Sequence, residues 1–266
     1  MKGTVSLPRR LKNIAIALLK NLGLYVFTKG SVPKGVDWCL DLTEHLRNVQ
    51  VKTIFDVGAN TGQTAVEVHR AFPEAKVLSF EPVHSTFLSL KNGTQNYPWL
   101  SCYNIALSSQ RGTAAMTSVP GSVTNSLALN VPQHKAAELA GQEATEVVVL
   151  ETIDQFGSEN HIERIEILKI DTEGHDLEVL RGAKTYFASS KVLLVYVEVT
   201  FALENPRNSL FYPIDDFLKE NGFVFMGLYE TYFLHKHPQD LTFCNALFLN
   251  PAAVSLAITK DGTDSK

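Results

Sequence analysis

The chain has 266 residues, 45% of them hydrophobic and 20% charged, with a formal net charge of −4. That suits one large α/β domain with a sizeable core and an N-terminal extension, or at most two domains. The mild acidity supplies no global basic field for nucleic acid. Cys39, Cys102 and Cys244, odd in number and far apart, read as buried reduced thiols, with neither a disulfide framework nor a zinc site among them.

The first 48 residues form a helical extension. Leu11, Ile14, Ala15, Leu18, Leu22 and Tyr25 recur at helical spacing behind the basic Lys2, Arg9, Arg10 and Lys12. Lys20 interrupts the apolar run and no small-residue cleavage site follows, which argues against a secretory signal and against a spanning helix. Two assignments stay open. The helix packs on its own domain or on a second subunit, as in a homodimer, or it lies as a peripheral contact on an anionic membrane or a lipid-linked substrate. After a linker at Gly30 to Gly35, Asp37 to Leu46 reads as a second helix with Trp38 and Leu42 on one face.

The main domain is expected over residues 49–254. Thr53, Ile54, Phe55 and Val57 form a short buried strand; Gly58 and Gly62 break it, and Gln63 to Phe72 resumes as helix. Gly58 lets a ligand approach bare backbone, Asn60 tolerates a left-handed conformation, and Gly62 permits close packing against the strand. The helix start offers unpaired N–H groups. Lys76 to Phe80 is a second strand closed by Glu81, placed to accept hydrogen bonds from ribose hydroxyls. A dinucleotide turn would carry a third glycine where Asp56 stands. A carboxylate there suits a cationic ligand end, such as the amino group of S-adenosyl-L-methionine.

Ser85 to Asn96 reads as a helix with Ser85 as its cap, and Leu100 to Ile105 as a third strand. Asn104, Ala106, Leu107 and Ser108 follow, either packing around a ligand's adenine or forming an ordinary strand exit. Gly112 to Val119 and Glu146 to Leu150 are further strands of a β insertion on the acceptor side, with Asn125 and Ser126 as polar contacts or turn formers. Glu151 to Phe156 is a short helix. Ile165 to Ile170 is the fourth strand, with Asp171, Glu173, Gly174, His175 and Asp176 crowding its exit. Val192 to Val197 is the fifth, ending at Glu198. Parallel neighbours would bring Asp171, Glu173 and Glu198 together, where three carboxylates repel unless a proton or a cation joins them. Helix capping by Asp171 or Thr172 is the structural alternative. Tyr212 to Leu218 is a helix; Phe223 to Leu228 and Leu241 to Leu249 are the last strands, an antiparallel pair. The loop Tyr229 to Gln239 holds Tyr229, Tyr232, Phe233, His235 and His237, which serve either as a sugar-stacking wall or as ordinary loop packing. Residues 255–266 form a C-terminal tail, loose from Thr259 onward.

Four blocks in order, Asp56-Val-Gly-Ala-Asn-Thr-Gly62, Phe80-Glu81-Pro82, Asn104-Ile-Ala-Leu-Ser108 and Leu168-Lys-Ile-Asp-Thr-Glu-Gly174 with Val179-Leu-Arg-Gly-Ala183, resemble the FkbM-type S-adenosylmethionine-dependent methyltransferases over roughly residues 50 to 250. The resemblance implies a Rossmann-like class I fold, a mostly parallel doubly wound seven-stranded sheet with an antiparallel C-terminal strand. It further implies O-methylation of a sugar, glycan or other natural-product acceptor. Asp56, Gly58, Asn60 and Gly62 would meet the amino-acid end of the cofactor, Glu81 its ribose, and Asn104, Ala106 and Leu107 its adenine. Glu173 and His175 are the candidate bases beside Asp171, and Asp171, Glu173 and Glu198 the candidate ligands for magnesium or a similar hard cation. His175 has a competing assignment as a surface helix residue. The rivals are a nicotinamide-dependent oxidoreductase, which Asp56 and the missing glycine oppose, and a non-catalytic module retaining the cofactor pocket. The cytoplasm is the expected location, because the methyl donor is made there.

Overall fold

The computed structural model describes residues 9–27, 29–117, 145–203, 208–233 and 241–263. Asn125, Ser126, His235 and His237 lie outside these residues. In chain order the elements are α1 (Arg9–Asn21), α2 (Trp38–His45), β1 (Thr53–Val57), α3 (Gln63–Ala71), β2 (Lys76–Phe80), α4 (His84–Thr94), β3 (Leu100–Tyr103), β4 (Ala106–Leu107), β5 (Gly112–Thr117) and β6 (Thr145–Glu151). There follow α5 (Ile153–Glu159), β7 (Ile165–Ile170), α6 (Asp176–Arg181), α7 (Lys184–Ala188), β8 (Val192–Val199), α8 (Phe211–Glu220), β9 (Val224–Phe233), β10 (Leu241–Leu249) and α9 (Pro251–Thr263).

Seven strands form one sheet in the order β3-β2-β1-β7-β8-β10-β9, with β10 antiparallel to both of its neighbours and the first five mutually parallel. This is the doubly wound Rossmann-like sheet that the sequence predicts. Period-two alternation divides its strands between two cores. Phe55, Val57, Phe80, Leu168, Ile170 and Val195 face Phe156, Leu180, Phe187 and Leu218 from α5 to α8. Ile54, Val77, Ile167 and Leu194 face Leu42, Val68 and Ala257 from α2, α3 and α9. Each such side chain contributes on the order of 2 kcal/mol by leaving water.

The β insertion is a separate three-stranded sheet, β4-β6-β5, in which β4 runs parallel to β6. Ala106 and Leu107 are therefore ladder residues with buried side chains.

Several local expectations need correction. Ser85 does not cap α4, which starts one residue earlier without a side-chain cap of its own. The carboxylates of Glu81 and Glu146 accept the Val83 and His84 N–H groups instead. Gly62 caps α3 at φ 91°, but it packs against α4: a Cβ there would meet Leu90 Cδ1 at 2.9 Å and Thr94 Cγ2 at 3.2 Å. Strand β9 runs on through Tyr229 to Phe233 because β10 pairs with it past two register shifts. The expected aromatic loop thus begins as strand, with Tyr229 buried and its hydroxyl on Asp41. The C-terminal segment is helical to Thr263, and Asp261 is held by Arg164 and by the Gln50 amide. A loose tail from Thr259 is not what forms.

Candidate active site

Strand order reverses between β1 and β7, and ligands of open α/β sheets bind at the carboxyl ends of strands flanking such a point. The backbones leaving these two strands are pressed together. Gly58 has φ 75°, and a Cβ on it would lie 1.8 Å from the Asp171 carbonyl oxygen. No other residue fits there, since both the conformation and the space demand glycine. Asn60 is left-handed at φ 48°, as expected, and the turn it completes leads into α3.

Glu81 meets this turn directly. Its Oε2 accepts the Asn60 N–H and its Oε1 the Val83 N–H, each at 3.0 Å. Burial pushes its carboxyl up to about 7, with the two amides opposing the rise. Asp56 is sealed beneath the same turn. In register it sits between Ser79 of β2 and Lys169 of β7, with Lys169 Nζ at 3.4 Å and the Ser79 hydroxyl donating at 3.4 Å. Burial raises the Asp56 carboxyl and Lys169 opposes that rise. Burial also works against the Lys169 charge, yet Asp171 and Asp56 outweigh it and hold the ammonium above the usual lysine range. Lys169 reaches Asp171 Oδ2 and the Gly58 carbonyl as well, both at 3.4 Å. Asp56 thus organises the turn from below and presents no free carboxylate to solvent.

Asn104 is likewise committed to the protein. Its Nδ2 donates to the carbonyls of Glu81 and Pro82 at 2.9 and 2.8 Å, tying the exit of β3 to that of β2. With Ala106 and Leu107 buried as well, the side chains of this segment serve the fold.

The exits of β7 and β8 bring three carboxylates together. One oxygen each from Asp171, Glu173 and Glu198 lie within 4.8 Å of one another, all half-buried. Glu173 is held at φ 54°, an unusual conformation outside glycine that costs about 1 kcal/mol or more. Glu198 is pushed up to about 9, first by burial and then by Asp171, Asp176 and Glu173; Asn208 donates to its Oε2. The capping alternative does not hold, because α6 begins after His175 with no side-chain cap. Asp176 instead reaches back, accepting from the Thr172 amide and hydroxyl at 2.9 Å and from the Ser209 hydroxyl at 2.7 Å, which braces the loop that carries Glu173.

His175 is not a surface residue. It is 4% exposed, and its Nε2 lies 3.0 Å from Ser108 Oγ. Burial lowers its pKa to about 4, so the ring is neutral. It links the β7 exit to the end of β4, while Asp171 and Glu173, four and two positions before it in sequence, join Glu198.

Sequence reasoning passed over Lys169, Ser79 and Asn208, and it placed Asp176 at the strand exit without giving it a role. Lys169 carried a readable signal, a cation inside the apolar run Ile165 to Ile170 of a central strand. The others become polar partners only through register and loop closure.

The family model of the methyltransferase FkbM domain matches residues 56–225. Methyltransferase sdnD of Sordaria araneosa is 31% identical over 173 residues, 55% of this chain and 64% of that protein, so the chain spans just under two thirds of this relative's length. Methyltransferase 1 of Beauveria bassiana is 27% identical over 185 residues, 58% of this chain and 74% of its own. Among solved structures, M. capricolum TrmK in complex with S-adenosyl-homocysteine covers 79% of this chain and 68% of its own, at 7% identity and a TM-score of 0.43.

Proposed function

The chain belongs to the methyltransferase FkbM family, and from that premise we propose that it transfers a methyl group from S-adenosylmethionine to a hydroxyl of a sugar, glycan or related natural product. The observation that carries the hydroxyl is the convergence of Asp171, Glu173 and Glu198 beside the Gly58 turn. Membership in a methyltransferase family sets aside the nicotinamide-dependent alternative.

The donor is already activated, because its methyl is bound to a positive sulfur. The carbon–sulfur bond breaks as the oxygen–carbon bond forms in line, leaving a neutral thioether, and the acceptor proton must go elsewhere. The protein's task is to align the acceptor and take that proton. In this reading the turn from Gly58 to Asn60 receives the amino-acid end of the cofactor. Glu81, each of whose oxygens retains a second lone pair, accepts the ribose hydroxyls. Glu173 receives the acceptor proton, since it stands in the carboxylate group whereas His175 is engaged by Ser108.

The donor set suits a hard divalent cation, being three carboxylate oxygens at one edge, one of them driven to hold a proton at neutral pH. Magnesium held there would lower the pKa of an acceptor alcohol and orient it. The cytoplasm, where the donor is made, is the compartment this reaction implies.

The experiment is mass spectrometry of hydroxylated glycans and small molecules incubated with the protein and isotope-labelled methyl donor, with and without chelator. A labelled ether product supports O-methylation. Its persistence after thorough chelation removes the cation and leaves Glu173 and Asp171 acting alone. If Glu173→Gln and Glu198→Gln leave a methyl-transfer product unchanged, the site assignment is wrong.

A further inference from the structure

We propose that α1 and the segment after it form a peripheral docking surface for an anionic lipid bilayer. Leu11, Ile14, Leu18 and Leu22 are spaced three or four apart, so they line one face of a helix and its final turn. Each is more than half exposed, and the following Leu24 to Phe27 leave four more large apolar side chains between 48% and 72% exposed. Among the described residues this face is therefore not packed on its own domain, one assignment open from sequence. Burying these residues outside the domain recovers apolar area that a monomer in water rarely leaves open.

Charge selects the occupant. Residues 1–36 carry seven lysines and arginines and no acid, whereas the remaining 230 carry 17 basic and 28 acidic residues, a net of −11. An anionic surface attracts this segment alone and repels the rest, which orients the protein as it binds. Lys20 stands half a turn from the Leu11 direction and Lys12 on the flank, both exposed, where cations of a helix lying flat in a headgroup layer belong. Each basic residue near such a surface contributes about 1 kcal/mol. A second copy would face this segment with the same positive charge across a twofold interface, which disfavours that occupant. At 13 residues the helix is about 20 Å long, too short to span, and no described helix is long and apolar enough to cross a membrane.

The test is flotation of the full chain with vesicles of phosphatidylcholine alone or with about one third phosphatidylserine. The wild type should float with the anionic vesicles at least about tenfold more than with the neutral ones, and less as salt is raised. Ile14→Asp/Leu18→Asp should abolish flotation, and Lys12→Glu/Lys20→Glu should cut it about tenfold, both with unchanged thermal melting because these side chains lie outside the core. Three results would overturn the proposal. One is no flotation of the folded wild type, and another is equal binding to neutral vesicles. The third is a wild-type dimer that Ile14→Asp/Leu18→Asp converts to a monomer, which assigns the face to a second copy.

Discussion

The backbone amide of Asn60 donates to Glu81 Oε2 at 3.0 Å, so the glycine turn after β1 and the acid that closes β2 form one hydrogen-bonded unit. Any ligand entering the switch point meets both at once. The carboxyl of Glu81, raised to about 7, makes the unit sensitive to pH. If only the ionised form accepts the ribose hydroxyls, affinity scales with the ionised fraction. Calorimetric titration with S-adenosylhomocysteine should show binding weakening by about 30-fold between pH 8.5 and 5.5. Glu81→Gln should be weak and flat across that range. Stability runs the other way. A carboxyl whose folded pKa lies above its unfolded 4.5 favours the fold at low pH and loses that contribution as pH rises toward 7. Opposite slopes for affinity and melting temperature would therefore mark this group.

Lys169 holds Asp56 and Asp171 together across β1 and β7. Lys169→Met leaves Asp56 buried without its cation, an arrangement that costs roughly 3–5 kcal/mol. Urea unfolding should register that loss, and Asp56→Asn in the same chain should restore part of it. If Lys169→Met melts like wild type, the pair is not what organises the turn.

Two glycines should respond in opposite directions to alanine. Gly58→Ala places a methyl 1.8 Å from the Asp171 carbonyl at φ 75°, so β1 and β7 cannot both keep their positions, and no cooperative thermal transition is expected. Gly93 lies inside α4 with nothing within 4 Å of a Cβ. Gly93→Ala should raise stability by about 0.5–1 kcal/mol, a few degrees in melting temperature.

His175, lowered from 6.5 to about 4, should make the fold acid-labile. Below pH 6.5 the unfolded chain takes up a proton that the folded ring refuses until about pH 4. The stabilisation is therefore full above 6.5 and is lost as pH falls toward 4, by roughly 3 kcal/mol in all. Urea midpoints at pH 7.5, 5.5 and 4.5 should converge for wild type and His175→Phe as the pH drops. Methyl transfer at pH 8 separates structure from chemistry. A base would cost about 100-fold or more when removed, whereas a ring that only braces Ser108 should cost less than about tenfold.

The outcome with the carboxylates is simplest to read from Glu198→Gln. It mimics the protonated state without the charge a cation requires. Folding should be preserved, and the magnesium concentration for half-maximal transfer should rise by about tenfold or more.

The strand–turn–helix at Thr53 to Ala71, the acid after β2 and the alternation in the central strands were legible because each depends on neighbours a few residues apart. Gly58 is demanded by a local φ, Glu81 by a strand end, and the family blocks by short contiguous runs. What a side chain does once there was decided by partners far along the chain. Asp56, expected to face a ligand, is neutralised by Lys169, 113 positions on, and that pairing exists only in the observed strand register. Asn104 spends its amide on two carbonyls of a neighbouring loop, His175 turns to Ser108, and β9 continues past Tyr229 because β10 pairs with it. Local backbone preference set the frame. Long-range pairing and the exclusion of water determined which polar groups remain for chemistry.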